Sequence, residues 1–363
     1  MPSRTTIRHK PRDLYQRLSK WFAANARELP WRGRTDPYEI WISEIMLVQT
    51  TGAVVAKRYP LFLKRFPSLD VLARARIGAV MKEWEGLGYY HRARYLHQAA
   101  RTIMSRYNGR FPSTYEDIRA LPGVGDYVAA AVANFSFGQR RPAIDANVAR
   151  VGARIFGFTG DVRSPAVRRA THRALEQAMM VGKGSVWTDG LIELGALVCS
   201  PRNPKCDVCP MQECCVAYAS GAVNRYGLPN PRAERKTVAV ACGIVRRRDG
   251  RILIAQRPDT GLLPNLWEFP GGKREGNEKL SDTCRREIKE ELDISVEVGE
   301  CRLVVPHAYS HYSVRLHVFE CRHRSGTPKA IGCRRWRWVT PAQLTRYAFP
   351  KANHAIIRLI QDE

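Results

Sequence analysis

The sequence predicts a multidomain protein: an all-α domain over residues 1–220, a linker over 221–236 and an α+β domain over 237–363. Three observations predict it. The chain has 363 residues, room for about two domains of 100–200 residues each. Apolar residues recur at helical spacing up to about residue 220, and short strand-like apolar runs take over after 237. Between them SGAVNRYGLPNPRAERKT is rich in glycine, proline and charge, as linkers are.

The helical elements are read in order. DLYQRLSKWFAAN (Asp13–Asn25) is amphipathic. DPYEIWISEIMLVQT (Asp36–Thr50) opens on Asp36-Pro37, a helix cap followed by proline at the first helical position. SPAVRRATHRALEQAMM (Ser164–Met180) and TDGLIELGALVC (Thr188–Cys199) repeat the pattern. In the second domain TVAVACGIVRR, RILIAQR, YSVRLHVFEC and RRWRWVT read as strands. SDTCRREIKEEL and PKANHAIIRLI read as helices.

Lys and Arg outnumber Asp and Glu by 59 to 34, a net charge of +25. Such an excess suits a polyanionic partner bound in a salt-dependent way. No apolar stretch approaches the roughly 20 residues needed to cross a bilayer, so no membrane partner is expected. The opening MPSRTTIRHKPRDLYQ is polar and basic, unlike a secretory signal. Its ten cysteines are therefore read as reduced thiols or metal ligands of a cytoplasmic protein.

Four of them, Cys199, Cys206, Cys209 and Cys215, are separated by six, two and five residues in one polar loop. Thiolates this close can share one metal centre. Zinc and an iron–sulfur cluster both take four cysteines. Zinc ribbons usually carry two CxxC pairs, and only Cys206–Cys209 is such a pair here. Cys214 breaks the pattern and is read as a bystander.

LPGVGDYVAAAVANF (Leu121–Phe135) reads as a tight turn opening a helix. Gly123 and Gly125 allow positive φ and close approach of a ligand to backbone, and the helix start offers free N–H groups to phosphate. Two carboxylates stand out. Glu44 has Ile40, Trp41, Leu47 and Val48 as its helical neighbours. A carboxyl on such a face is kept neutral by desolvation, as an acid that protonates a ring nitrogen must be; the alternative is a side chain that reaches out to solvent. Asp145, in RPAIDANVARV, is placed to cap a helix. That role is compatible with an ionised carboxylate held at a helix start to stabilise or trap an oxocarbenium-like sugar.

The cysteine spacing resembles the four-iron four-sulfur loop of the endonuclease III and MutY class of DNA glycosylases. PWRGRTDPYEIWISEIMLVQT, EGLGYYHRARYLH, LPGVGDYVAAAV, DANVARV and LIELGALVC with its following cysteines run in the order of the MutY family, over nearly the whole chain. That family removes adenine mispaired with 8-oxoguanine. The resemblance implies an all-α helix-hairpin-helix glycosylase domain with an iron–sulfur loop, plus a C-terminal α+β Nudix-like domain. It implies that Glu44 protonates N7 of the flipped adenine, that Asp145 faces the anomeric carbon and that Asn147 holds Asp145 and the sugar. Trp31 and Arg32 would line the adenine pocket, with Asp189 where glutamine or glutamate is usual. Gln49, with Thr50 beside it, and Tyr89, with Leu87 beside it, match the wedge that fills the gap. Gly123 and Gly125 would grip the DNA backbone. Cys199, Cys206, Cys209 and Cys215 would hold one four-iron four-sulfur cluster.

Tyr127 stands where bifunctional relatives carry a Schiff-base lysine. A phenol forms no imine, so a monofunctional enzyme is implied. The implied partner is duplex DNA containing adenine opposite 8-oxoguanine (or guanine), met by a monomer in a bacterial cytoplasm, on the nucleoid.

The second domain resembles MutT, a Nudix hydrolase. Gly272, Glu278 and Arg286-Glu287-Ile288-Lys289-Glu290-Glu291 match the Nudix box, with Asp293 replacing its late glycine. Glu287, Glu290 and Glu291 could hold magnesium against a pyrophosphate, which keeps open an alternative: an enzyme that also hydrolyses 8-oxo-dGTP. Ser310 and His311, within Tyr309-Ser310-His311, match the family's loop that contacts 8-oxoguanine.

Overall fold

The computed structural model describes residues 10–230, 237–261, 263–308 and 312–363. Ser310 and His311 lie outside the described residues. The chain divides into two compact units, Met1–Ala73 with Gln98–Arg232, and Arg74–His97 with Ala233–Glu363.

The first unit is helical. Its elements are α1 (Pro11–Asn25), α2 (Pro37–Leu47), α3 (Gly52–Arg65), α4 (Leu69–Arg74, ending at the unit boundary), the later part of α6 (His91–Arg106), α7 (Tyr115–Arg119), α8 (Asp126–Phe137), α9 (Ala146–Phe156), α10 (Pro165–Ala178), α11 (Gly184–Leu197) and the short α12 (Val216–Ala219). The expected start of α2 is observed: Asp36 accepts from the Glu39 amide and Pro37 takes the first turn. Leu14 and Leu18 of α1 pack with Val148 of α9, Leu175 of α10 and Trp187, Leu191 and Leu194 of α11. In that core α11 passes so close to α9 that a Cβ on Gly195 would lie 2.6 Å from the Cβ of Asn147. The beginning of the expected linker belongs to this unit: Arg154 Nε donates to the Tyr226 carbonyl (3.3 Å), and Tyr226 bridges to Thr159.

The second unit is a mixed sheet ordered β3-β2-β1-β6-β5, with β4 paired to β1 and β7 to β2. The strands are β1 (Thr237–Arg246), β2 (Ile252–Gln256), β3 (Trp267–Glu268), β4 (Gly271–Lys273), β5 (Ser295–Ala308), β6 (Ser313–Ser325) and β7 (Arg335–Val339). The β1–β6 pair is parallel. β2 is buried throughout because both sheet faces are covered. Leu253 and Ala255 pack with Cys284, Ile288 and Leu292 of α13 (Leu280–Leu292), and Ile252 and Ile254 with Ile356 and Ile360 of α14 (Asn353–Gln361). Asp293 caps α13 at φ +54°, a conformation glycine favours, and its carboxylate is held by Lys289 and Lys329. Aspartate, which visits the left-handed region more readily than most side chains, thus stands where the Nudix box has glycine. The helix α5 (Ile77–Glu83) and the turn after it also belong to this unit. Among the described residues, no helix is long and apolar enough to cross a membrane.

Candidate active site

Glu44 projects from an apolar face of α2 and is 4% exposed. Desolvation pushes its pKa up to about 8, against the pull of a 2.6 Å hydrogen bond that the Tyr127 hydroxyl donates to Oε2; the charges of Asp189 and Asp145 raise it further. The carboxyl is therefore mainly protonated at neutral pH, as its apolar neighbours predict.

Asp145 caps α9. Its Oδ1 accepts from the Val148 amide (2.7 Å) and its Oδ2 from Asn147 Nδ2 (2.9 Å). Desolvation raises the Asp145 pKa above its ordinary value, and the bonds from the Val148 amide and Asn147 pull against it in favour of the carboxylate. The Tyr127 phenol is itself pushed up, by desolvation first and then by the charges of Glu44, Asp145 and Asp189 and its bond to Glu44.

Behind Asp145 runs a chain of bonds that the sequence reading missed. Asn147 Oδ1 accepts from Arg150 Nη2 (2.8 Å), and Arg150 Nε donates to the Cys199 carbonyl (2.8 Å). Arg154, 1% exposed, donates to Cys199 Sγ (3.3 Å) and to the Ser200 carbonyl, while Cys215 Sγ donates to the Arg154 carbonyl. Cys206, Cys209 and Cys215 each lie close enough to Cys199 for its charge to be felt, so the four thiols share one neighbourhood. Burial raises all three thiols, so a metal is what would draw off their protons. Among the described residues, no group of three or more His, Cys, Asp or Glu side chains is already drawn together closely enough to hold a metal ion. The two arginines, four residues apart on an otherwise apolar helix, were the signal available in the sequence.

The third element is a charged nest. Glu193 of α11 has a fully buried side chain that accepts from the Arg27 amide, Arg27 Nε and Nη2, and Arg32 Nη2 (2.7–3.1 Å). Arg32 lies over the Phe22 ring and 4.0 Å from Asp189. Its Nε and Nη1 are buried without a hydrogen-bond partner. Burial pushes Asp189 up to about 6, with Arg32 pulling down and Glu193 pushing up. Trp31 is buried edge-on against Tyr59. Glu193 was not foreseen, although a charge inside LIELGALVC gives the same signal that marked Glu44.

In the hairpin, Gly123 adopts φ +73°, whereas Gly125 is extended at φ −91°. Gly125 is therefore not required for its backbone angle; no atom lies within 4 Å of where its Cβ would be, which leaves a ligand room at the start of α8. A cavity of about 380 Å³ reaches Tyr127 from the α10 side, with Arg141, Arg168 and Arg169 on its wall. Gln49 (φ +61°) and Tyr89 (φ +46°) are both left-handed without being glycine, a conformation that costs energy and collects at working sites. Thr50 closes the turn after α2 by donating its amide to the Leu47 carbonyl. Leu87, expected beside the wedge, is instead 3% exposed, with its side chain in the core.

On α13, Arg286 reaches Glu278, Glu287 and Glu290 at once. Glu291 is turned toward the Gly271 amide, and burial pushes it up to about 8. The three glutamates foreseen as magnesium ligands thus already have protein partners or are buried.

Comparison with known proteins follows this division. Residues 42–177 match the model of the HhH-GPD superfamily of base excision DNA repair proteins, and residues 241–359 match that of the NUDIX domain. The adenine DNA glycosylase of Homo sapiens is 29% identical, over 95% of this chain and 73% of its own length. That of Mycobacterium tuberculosis is 34% identical, over 74% of this chain and 84% of its own. Among solved structures, a thermostable thymine-DNA glycosylase superimposes with a TM-score of 0.54 at 32% identity, covering 58% of this chain and 97% of that one.

Proposed function

Because the chain belongs to the adenine DNA glycosylase family, a family of base excision repair enzymes that hydrolyse N-glycosidic bonds, we propose that it releases adenine mispaired with 8-oxoguanine, and more weakly with guanine, from duplex DNA. The observation that carries the mechanism is the buried Glu44 carboxyl, bonded by the Tyr127 hydroxyl and pushed up to about 8, with Asp145 near enough to raise it further. Glu44 gives its proton to N7 of the everted adenine. The C1′–N9 bond breaks, its electron pair leaves with the purine, and Asp145 stabilises or captures the cationic sugar that water then attacks. The unpartnered Arg32 donors and the Asp189 carboxyl beside them suit the mixed donor and acceptor edge of adenine. Gln49 and Tyr89 fill the gap left by the base, and Gly123 and Gly125 leave amides open to phosphate. Tyr127 supplies no amine, so the product is an abasic site in an unbroken strand.

Cys199, Cys206, Cys209 and Cys215 would hold one four-iron four-sulfur cluster, and the cationic Arg154 at the sulfurs fits a negatively charged thiolate set. When bound, the cluster orders the loop carrying Arg202 and Lys205 for a phosphate contact. Arg150→Met is expected to slow adenine release by about tenfold or more, as loss of a supporting residue behind a metal ligand does. Single-turnover rates and iron content per chain would check this; an unchanged rate would refute the link. The magnesium-dependent hydrolase alternative gains no support from Arg286 lying among its carboxylates. We further propose that the enzyme works as a monomer on nucleoid DNA, with Ser310 and His311 meeting the 8-oxoguanine.

The test is single-turnover adenine release from an 8-oxoguanine:adenine duplex. Strand breaks should follow only after alkali, with no adduct trapped by borohydride. Absence of released adenine overturns the function; breaks without alkali overturn the monofunctional reading.

A further inference from the structure

The turn carrying Tyr89 is fastened from inside and from outside. Inside, Trp84 Nε1 donates to the Gly88 carbonyl (3.1 Å), and Arg92 Nη2 donates to the carbonyls of Leu87 (2.9 Å) and Gly88 (3.1 Å). The Arg92 guanidinium lies over the rings of Trp84 and Tyr89. Gly86, Gly88 and Tyr89 all have positive φ, so the turn presents Tyr89 in one particular geometry.

Outside, both flanks of the turn are held by residues 347–354 of the C-terminal domain. Glu85 Oε1 accepts from His354 Nε2 (2.9 Å) and from the Phe349 amide (3.3 Å). Its Oε2 accepts from Lys82, whose ammonium also donates to the Tyr347 carbonyl (3.2 Å). On the other flank, the Tyr90 hydroxyl donates to the Phe349 carbonyl (3.1 Å). Residues 74–97 thereby belong to the same compact unit as the C-terminal domain, not to the unit carrying Glu44 and Asp145.

We propose that Glu85 is a positioning residue: through it the C-terminal domain, which reads the base opposite adenine, holds the Tyr89 turn that fills the gap when adenine is extruded. This rests on the reading of Tyr89 as a wedge and of the C-terminal domain as the reader of 8-oxoguanine. A domain that engages the opposite base and grips the wedge through Glu85 moves both as one body. Recognition of 8-oxoguanine then favours extrusion of adenine, and guanine, which the domain engages less, gives less of that help.

The experiment compares full-length wild type with Glu85→Ala and the milder Glu85→Gln on 8-oxoguanine:adenine and guanine:adenine duplexes. Single-turnover excision is measured, together with the fluorescence of 2-aminopurine replacing the target adenine. Glu85→Ala should lower the preference for the 8-oxoguanine duplex about tenfold, a typical coupling between two sites. Excision from guanine:adenine should stay near wild type, and the extrusion signal opposite 8-oxoguanine should fall. Glu85→Gln, which still accepts from the Phe349 amide, should fall between the two. An unchanged preference overturns the proposal. So does a parallel loss on both duplexes that tracks a lower Tm, because that would mark a merely structural contact. Wild type inactive on both duplexes would sink the glycosylase reading and this inference with it.

Discussion

Glu44→Gln is expected to lose adenine release by about a thousandfold while gaining thermal stability at neutral and alkaline pH. The two effects share a cause. In the unfolded chain this carboxyl titrates near 4.5, and in the folded chain near 8. Between those values the native state holds a proton that the unfolded state has lost. Stability therefore falls as pH rises through that window, and the penalty is complete above about pH 8. Glutamine never ionises, and its carbonyl can still accept from the Tyr127 hydroxyl. The variant and wild type should have similar Tm below pH 4.5, with the variant pulling ahead as pH climbs toward 8. In the wild type the excision rate should hold up to about pH 8 and fall beyond it, as the acid is titrated away. Thermal melts across pH and single-turnover rates measure both. A variant that melts below wild type at pH 8 would show that Glu44 is paired and ionised, and would remove it as the proton donor.

Much of this site was legible because local chemistry and tertiary role agree. Asp36-Pro37 begins α2 where the rules for helix starts place it, so the face bearing Glu44 was fixed to within a residue or so. Asp145 caps α9 in the same way. Gly123 needed its positive φ. The rest depended on contacts between segments distant in sequence. Glu193 meets Arg27 and Arg32 across more than 150 residues, and Arg150 reaches the Cys199 backbone 49 residues away. A charged residue in an apolar helix announces that a partner exists but not which one. β5, the longest strand, was not foreseen: Gly299 and Pro306 interrupt its pattern, and register shifts near Val298, Cys301 and Leu303 break the alternation that marks a strand. They also leave Cys301 exposed. The attachment of residues 74–97 to the C-terminal unit was invisible for another reason: Glu85, Tyr90 and His354 are ordinary polar residues until the chain brings them together.

Glu193→Ala should be the most destabilising change in the charged nest, and it should also slow catalysis. Burial alone would push the Glu193 pKa up. The Arg27 side-chain and amide bonds and the Arg32 charge overcome that, and its pKa is lowered. Removing the carboxylate leaves the two guanidiniums without their shared anion; breaking a buried pair from one side costs about 3–5 kcal/mol, and because water can reach the half-exposed Arg27 side chain the expected loss is about 2–3 kcal/mol. For the helical unit, of about 200 residues, that corresponds to a Tm lower by about 5–8 °C. Because the folded pKa is depressed, this contribution is present above the ordinary glutamate range and is lost as pH falls through the folded value. The Tm gap between wild type and Glu193→Ala should therefore narrow in acid. Catalysis separates from stability in a second variant. Replacing both partners, Glu193→Leu with Arg27→Met, swaps charge for apolar volume and should restore much of the lost stability. Arg32 stays without its anchor, so adenine release should remain slow although the protein folds and binds DNA. If the double variant recovered wild-type rates along with its Tm, Glu193 would be a stabilising residue only, and the aim of the Arg32 donors would have to be set by Asp189 and the Phe22 ring instead.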